Sequence, residues 1–228
     1  MNIDIQFVGA DAIMLYFADD ASPQLCQLIG AAATKAEALL GESLIDLVPS
    51  YTSLLVIFDP LHSSHLEVAR RLRQGLTDPG EIITGQGREI RLPVYYAPES
   101  GQDLEAVARA AKLATDEVIA LHSGRHYHVY AIGFAPGFAY LGDVDERIAM
   151  PRLDTPRAVV PRGSVAIANR QTAVYPAPTP GGWNLLGLCP TPMFDPGADP
   201  GMPVKVGDTV LFHPVSRSDY IELGGQLP

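Results

Sequence analysis

Residues 157–188, RAVVPRGSVAIANRQTAVYPAPTPGGWNLLGL, decide how the chain is read. Short runs of aliphatic and β-branched residues are cut by proline and glycine, which excludes a long helix and favours short strands with tight turns. The same texture holds from His126 onward: YHVYAIGF, AVVP, SVAIA, TAVYP, WNLLGL, TVLFHP and DYIEL all read as strands. Twelve of the 20 prolines lie between Pro136 and Pro203. Short strands with frequent turns predict a closed barrel or a sandwich.

Upstream, strand and helix signals alternate. Ile3, Ile5 and Phe7 alternate with polar residues, and Ile13, Leu15 and Phe17 follow the turn Gly9-Ala10-Asp11. Ser22-Pro23 predicts an N-cap and first helical residue. That helix carries Leu25, Ile29, Ala32, Ala36 and Leu39-Leu40 and stops at Gly41. Leu44–Val48 and Leu54–Phe58 read as strands. Ser63 or Ser64 caps a helix with Leu66, Ala69, Leu72 and Leu76 inward. After a loop at Asp78-Pro79-Gly80, Ile90, Leu92 and Val94 form a further strand. From the second strand onward this order is a split βαβ, ferredoxin-like arrangement. Asp103 and Thr115 cap two short helices between Pro98 and Gly124. The expected class is α+β, with a ferredoxin-like domain at residues 1–97 and short helices plus a β-barrel at 98–228.

Composition excludes several functions. The chain has 228 residues, is 47 % hydrophobic and carries a formal charge of −10. It holds enough apolar material for a core, and its negative field opposes a phosphate backbone, so no nucleic-acid partner is expected. No apolar run is long enough to cross a bilayer. The first residues, MNIDIQFVGADAIML, lack a basic leader, so a cytoplasmic location is expected. Cys26 and Cys189 alone give neither a disulfide framework nor metal-ligand spacing. His126 and His128 share a strand face, but with no third ligand nearby no metal site is expected. The Walker pattern is absent. Gly85-Gln86-Gly87 lacks the third glycine of a dinucleotide loop, and Ser164 in RGSVA is no nucleophile elbow.

Three features point to chemistry. Between Arg147 and Leu188 lie five arginines, Arg147, Arg152, Arg157, Arg162 and Arg170, with Asp154 the one acid and no lysine. The planar guanidinium fork grips carboxylate or phosphate, so this island predicts either a site for a small anionic substrate, with Arg152 and Arg157, each beside a proline, as the preferred pair, or ion pairs with acids of the first domain or of a partner subunit. Gly133, Phe134, Pro136, Gly137, Phe138 and Tyr140 form a stiff turn that either offers N–H groups to an anion or doubles the chain back inside a barrel. Trp183, directly after Gly181-Gly182, walls a pocket, anchors a partner or fills the core. Gln171, Thr172 and Tyr175 supply polar ends between them.

GFAPGFAYLG, then PRLDTPRAVVPRGSVAIANRQTAVYP, then TPGGWNLLG, in this order and spacing, resemble the family that unites the B subunit of 5-oxoprolinase, KipI-type kinase inhibitors and allophanate hydrolase subunit 1. The resemblance spans essentially the whole chain. It implies a C-terminal cyclophilin-like barrel and ATP-dependent opening of 5-oxoproline to glutamate, with companion subunits A and C. On that reading Arg152, Arg157 and the turn Gly133–Gly137 stabilise developing negative charge. Gln171 and Tyr175 hold the substrate amide or carboxylate, Trp183 walls the pocket, and His128 carries a proton. ATP, lacking a loop of its own here, is shared with a partner subunit. The alternatives are a histidine-kinase inhibitor docking through Phe134, Phe138, Tyr140 and Trp183, or a urea- or allophanate-processing subunit. The sequence departs from the family where Leu188-Cys189-Pro190 replaces the usual Arg-Thr-Pro and where Asn169 stands at a common glycine.

Overall fold

The computed structural model describes residues 3–76 and 87–227. The Asp78-Pro79-Gly80 turn, Gly85 and Gln86 lie outside them. The chain divides into two compact units, residues 1–87 and 88–228.

In the first unit, β1 (Asp4–Val8), β2 (Ala12–Tyr16), β3 (Leu44–Pro49) and β4 (Ser53–Phe58) form an antiparallel sheet in the order β1-β2-β4-β3. Helix α1 (Pro23–Leu40) starts where Ser22 Oγ accepts from the Leu25 N–H at 3.1 Å and ends at Gly41, whose φ is 53°. Ile13, Leu15, Leu54, Val56 and Phe58 meet Ile29, Ala32 and Ala36 of α1 and Val68, Ala69 and Leu72 of α2 (His65–Leu76). Leu66, expected inward, is 74 % exposed. It sits roughly a quarter-turn off the stripe of Val68, Ala69, Leu72 and Leu76, at 100° per residue. The edge place beside β2 is held by β1.

The strand β5 (Glu89–Val94), which sequence order assigned to the first sheet, pairs in parallel with β13 (Thr209–Pro214) and so belongs to the second unit. Between them come α3 (Leu104–Ala111), α4 (Thr115–Ser123), β6 (His126–Ile132), β7 (Ala139–Gly142), β8 (Arg157–Val160), β9 (Ser164–Ala168), β10 (Gln171–Val174), β11 (Thr179–Gly181) and β12 (Asn184–Leu188). Seven strands run in the order β12-β9-β10-β7-β6-β13-β5. The two edges meet where Tyr95 and Leu188 exchange N–H···O bonds of 2.9 and 3.0 Å, giving a nearly closed, barrel-like sheet. β8 and β11 form a separate ribbon. Leu188 is buried in this closing strand. Asn169, at the common glycine, has a φ of 50°, a conformation asparagine tolerates better than most residues.

Two further expectations are corrected. DYIEL is not a strand, because Arg217–Glu222 forms α5. Ser216 Oγ accepts from the Asp219 N–H at 3.1 Å and the Asp219 carboxylate accepts from the Ser216 N–H at 3.2 Å, a reciprocal cap that outweighs the alternating pattern. Thr115 does not cap α4; Ala114 stands at that position, and its N–H donates to Glu117 at 2.8 Å.

Inside the barrel, Tyr127, Val129, Leu141, Val165, Ile167, Val174 and Phe212 pack together. His122 of α4 is fully buried among them, stacked on Phe212 at 4.8 Å. Its Nε2 lies 2.9 Å from Thr172 Oγ1 and its Nδ1 2.7 Å from the Tyr96 hydroxyl. Thr172 Oγ1 donates onward to the Ala166 carbonyl at 3.0 Å, so it accepts from His122 Nε2–H, and Nδ1 accepts from Tyr96. Burial lowers the imidazole from 6.5 to about 3. The unfolded chain therefore binds a proton that the folded chain refuses between those values, and stability present above pH 6.5 drains as pH falls toward 3. His122→Gln removes that titration. The denaturation midpoint of the wild type is expected to fall more steeply from pH 6.5 downward than that of the variant, measured by urea unfolding across the range.

Candidate active site

Strands β9 and β12 are buried at every residue. Val165 and Ile167 belong to the inner core, while Ala166, Ala168 and Ala173 face a second, outer cluster with Phe138, Val160, Tyr175, Trp183 and Leu185. The period of two in a strand produces this split. Alanines on the outer face leave room for rings to lie against the sheet. Phe138 is the hub: its ring meets Tyr140 at 5.0 Å, Tyr175 at 5.2 Å, Trp183 at 5.6 Å and Phe134 at 5.2 Å, each edge-on. Edge-to-face packing at these distances fixes ring orientation.

These rings wall a cavity of about 270 Å³, completed by Arg152, Pro156, Pro180, Gly181 and Gly182. The Arg152 guanidinium carbon lies 5.8 Å above the Trp183 ring, within cation–π range. Burial raises the Tyr175 hydroxyl above its ordinary value, against the opposing pull of Arg152 and Arg157, so it stays a neutral donor. Phe134 is 63 % exposed and has a φ of 72°, a left-handed conformation that phenylalanine rarely adopts. Such strain concentrates at ligand sites. The cavity therefore offers flat apolar walls, a phenolic donor and one cation, which suits a small ring bearing a carboxylate.

Of the residues expected from sequence, Arg152, Phe134, Tyr175 and Trp183 converge on this cavity. Gly133, Pro136, Gly137, Gln171 and His128 are not in its wall. The Gly133–Gly137 turn doubles the chain back. The Gly133 N–H donates to the Phe138 carbonyl and the Phe138 N–H to the Ala135 carbonyl, each at 3.0 Å. Gly137 has a φ of 81°, and a Cβ there would strike the Met193 carbonyl. His128 on β6 pairs across to Gly142 and Thr209, and burial lowers its pKa. Gln171 pairs with Ala168 and Gly142.

The arginine island resolves into separate jobs. Arg147 binds Asp145 at 2.9 Å and Arg170 binds Glu146 at 2.5 Å. Arg157 is not free for substrate, because it donates to both oxygens of Asp103 at 2.7 and 2.8 Å. Among the described residues Arg152 and Arg162 have no carboxylate partner, and of the five only Arg152 reaches the cavity. Asp103 was missed because it reads as a helix cap; it stands at the N-cap of α3 without a side-chain capping bond. Among the described residues no group of three His, Cys, Asp or Glu is placed to hold a metal, and no helix is long and apolar enough to cross a membrane.

Gly181 explains part of TPGGW: a Cβ there would collide with the Tyr175 hydroxyl. Gly181→Ala is expected to displace the Tyr175 ring and destabilise the second unit by about 1–3 kcal/mol, read as a lowered denaturation midpoint.

Comparison with known proteins bears on this pocket. Residues 3–204 match the family described as carboxyltransferase domain, subdomain C and D. The chain is 38 % identical to the 5-oxoprolinase B subunit of Bacillus subtilis (strain 168), covering 96 % of each chain. It is 41 % identical to the protein of the same name from Haemophilus influenzae, over 71 % of this chain and 72 % of that one. The solved structure of TTHA0988 superposes with a TM-score of 0.81 at 33 % identity, covering 95 % of this chain and 41 % of the longer one. Since the family match spans residues 3–204 and the relatives are 38 % and 41 % identical over more than two thirds of the chain, the chain belongs to the carboxyltransferase domain, subdomain C and D family, together with the B subunits of 5-oxoprolinase.

Proposed function

We propose that this chain is the B subunit of a cytoplasmic, ATP-dependent 5-oxoprolinase, which hydrolyses 5-oxoproline to glutamate with companion subunits A and C. One observation carries the reading at the level of the site: Arg152, a guanidinium without a carboxylate partner among the described residues, overhangs a ring-walled cavity of about 270 Å³. The relatives named as 5-oxoprolinase B subunits supply the reaction. On the same reading the second unit is a cyclophilin-like barrel, and the first is a ferredoxin-like unit whose last strand is replaced by β1.

5-Oxoproline is a flat five-membered lactam with one carboxylate. Arg152 binds that carboxylate, and the faces of Trp183 and Tyr140 and the edge of Phe138 enclose the ring. The neutral Tyr175 hydroxyl donates to the lactam carbonyl oxygen of the bound substrate and orients the ring. The apolar aromatic walls lower the local dielectric and strengthen both contacts. A lactam carbonyl is a poor electrophile: ATP passes its γ-phosphoryl group to that oxygen with ADP leaving, water adds to the activated carbon, the C–N bond breaks to free the amine, and a second water hydrolyses the acyl phosphate to glutamate and phosphate. A cavity of this size with one guanidinium does not fit a triphosphate, so the nucleotide is assigned to the companion subunits and this chain is inactive alone. A kinase-docking role is less favoured, since Phe138 and Trp183 are buried and only Phe134 projects.

The test is 5-oxoproline-dependent ADP release by each subunit and by the reconstituted mixture. No turnover is expected from this chain alone and full turnover from the mixture. Arg152→Ala is expected to lower kcat/KM roughly a hundredfold, or about 3 kcal/mol, while leaving assembly intact. Wild-type turnover by the Arg152→Ala complex would reject the assignment.

A further inference from the structure

The cavity wall is held by a partly buried ion pair outside it. Asp103 lies at the N-terminus of α3, yet its carboxylate faces the barrel strands. It accepts from the Arg157 guanidinium at 2.7 and 2.8 Å and from the Leu185 N–H at 2.7 Å. Arg157 donates in addition to the Trp183 carbonyl at 3.2 Å. Both side chains are largely buried, 22 % and 13 % exposed. The Asp103 N–H donates to the Leu185 carbonyl at 3.0 Å. Two side chains thus grip the backbone of Trp183 and Leu185 from one side, and Trp183 is the chain's one tryptophan and a wall of the cavity. Gly101 lets α3 approach this closely, since a Cβ there would strike the Leu186 carbonyl.

We propose that Asp103 and Arg157 are a positioning pair: they set the height and angle of the Trp183 indole, and with it the width of the slot that admits a flat ring carboxylate. The pair touches no substrate. This rests on the 5-oxoproline reading for its ligand, but not for the position of the indole. A partly buried ion pair in which one guanidinium nitrogen reaches both carboxylate oxygens while the other holds the Trp183 carbonyl fits a part whose geometry must not drift. A slot set by Trp183 contributes equally to bound substrate and transition state, so disturbing it raises KM and spares kcat.

Arg157→Lys keeps the charge and loses the fork, while Asp103→Asn keeps an acceptor for the Leu185 N–H and loses the ion pair. Trp183 emission, its quenching by acrylamide, and KM and kcat for 5-oxoproline in the reconstituted complex are measured for both. Arg217→Gln, which breaks the exposed pair with Glu99, serves as control. Expected are a red-shifted, more quenchable indole and a KM raised about tenfold with kcat within about twofold in both variants, and wild-type values in the control. Wild-type emission and KM in folded variants overturn the proposal. Loss of folding in both overturns it too, in favour of a purely structural pair. If the wild-type complex ignores 5-oxoproline while the indole still shifts in the variants, the substrate reading falls and the positioning pair stands.

Discussion

One side of the barrel has to satisfy two cores at once. Strands β9 and β12 carry no exposed residue, so alternation along β9 and β10 sorts apolar residues by size instead of by polarity. Branched aliphatics go to the interior, and Ala166, Ala168 and Ala173 go to the outer face. Small outer residues leave a shallow bed, and Phe138, Tyr140, Tyr175 and Trp183 fill it edge to face. Rings that cannot close-pack completely over such a bed leave a cavity with rigid walls. The pocket is a consequence of how this sheet is covered.

Electrostatics then decide which cation stays at the cavity. The chain carries a net charge of −10, and three of the five arginines in the island are consumed by internal carboxylates. Asp145 takes Arg147, Glu146 takes Arg170 and Asp103 takes Arg157. What is left at the pocket is one guanidinium lying against an indole beside an apolar slot.

Much of this was legible in the residues. Ser22, Pro23 and Gly41 mark α1 because caps are local chemistry, and the Pro/Gly-punctuated runs mark β8 to β12 because turn residues act locally too. Arg152, Tyr175 and Trp183, singled out in the sequence, share one cavity. Several misreadings are nonlocal. The parallel pairing of β5 with β13 joins strands far apart in sequence and has no turn signature. Asp103 looks like a cap until Arg157 arrives from a distant strand. A charge count finds five arginines but not their partners. Three misreadings are local: Leu66 lies off the apolar stripe of α2, Thr115 stands one residue past the N-cap of α4, and Asp219 looks like a strand residue until Ser216 is seen to share its hydrogen bonds.

The most direct measurement is a crystal structure of the chain soaked with 5-oxoproline. The ligand carboxylate should lie within hydrogen-bond distance of the Arg152 guanidinium, with its ring between Trp183 and Phe138 and its lactam oxygen facing the Tyr175 hydroxyl. A ligand bound elsewhere on the chain, with this cavity filled only by water, would contradict the account.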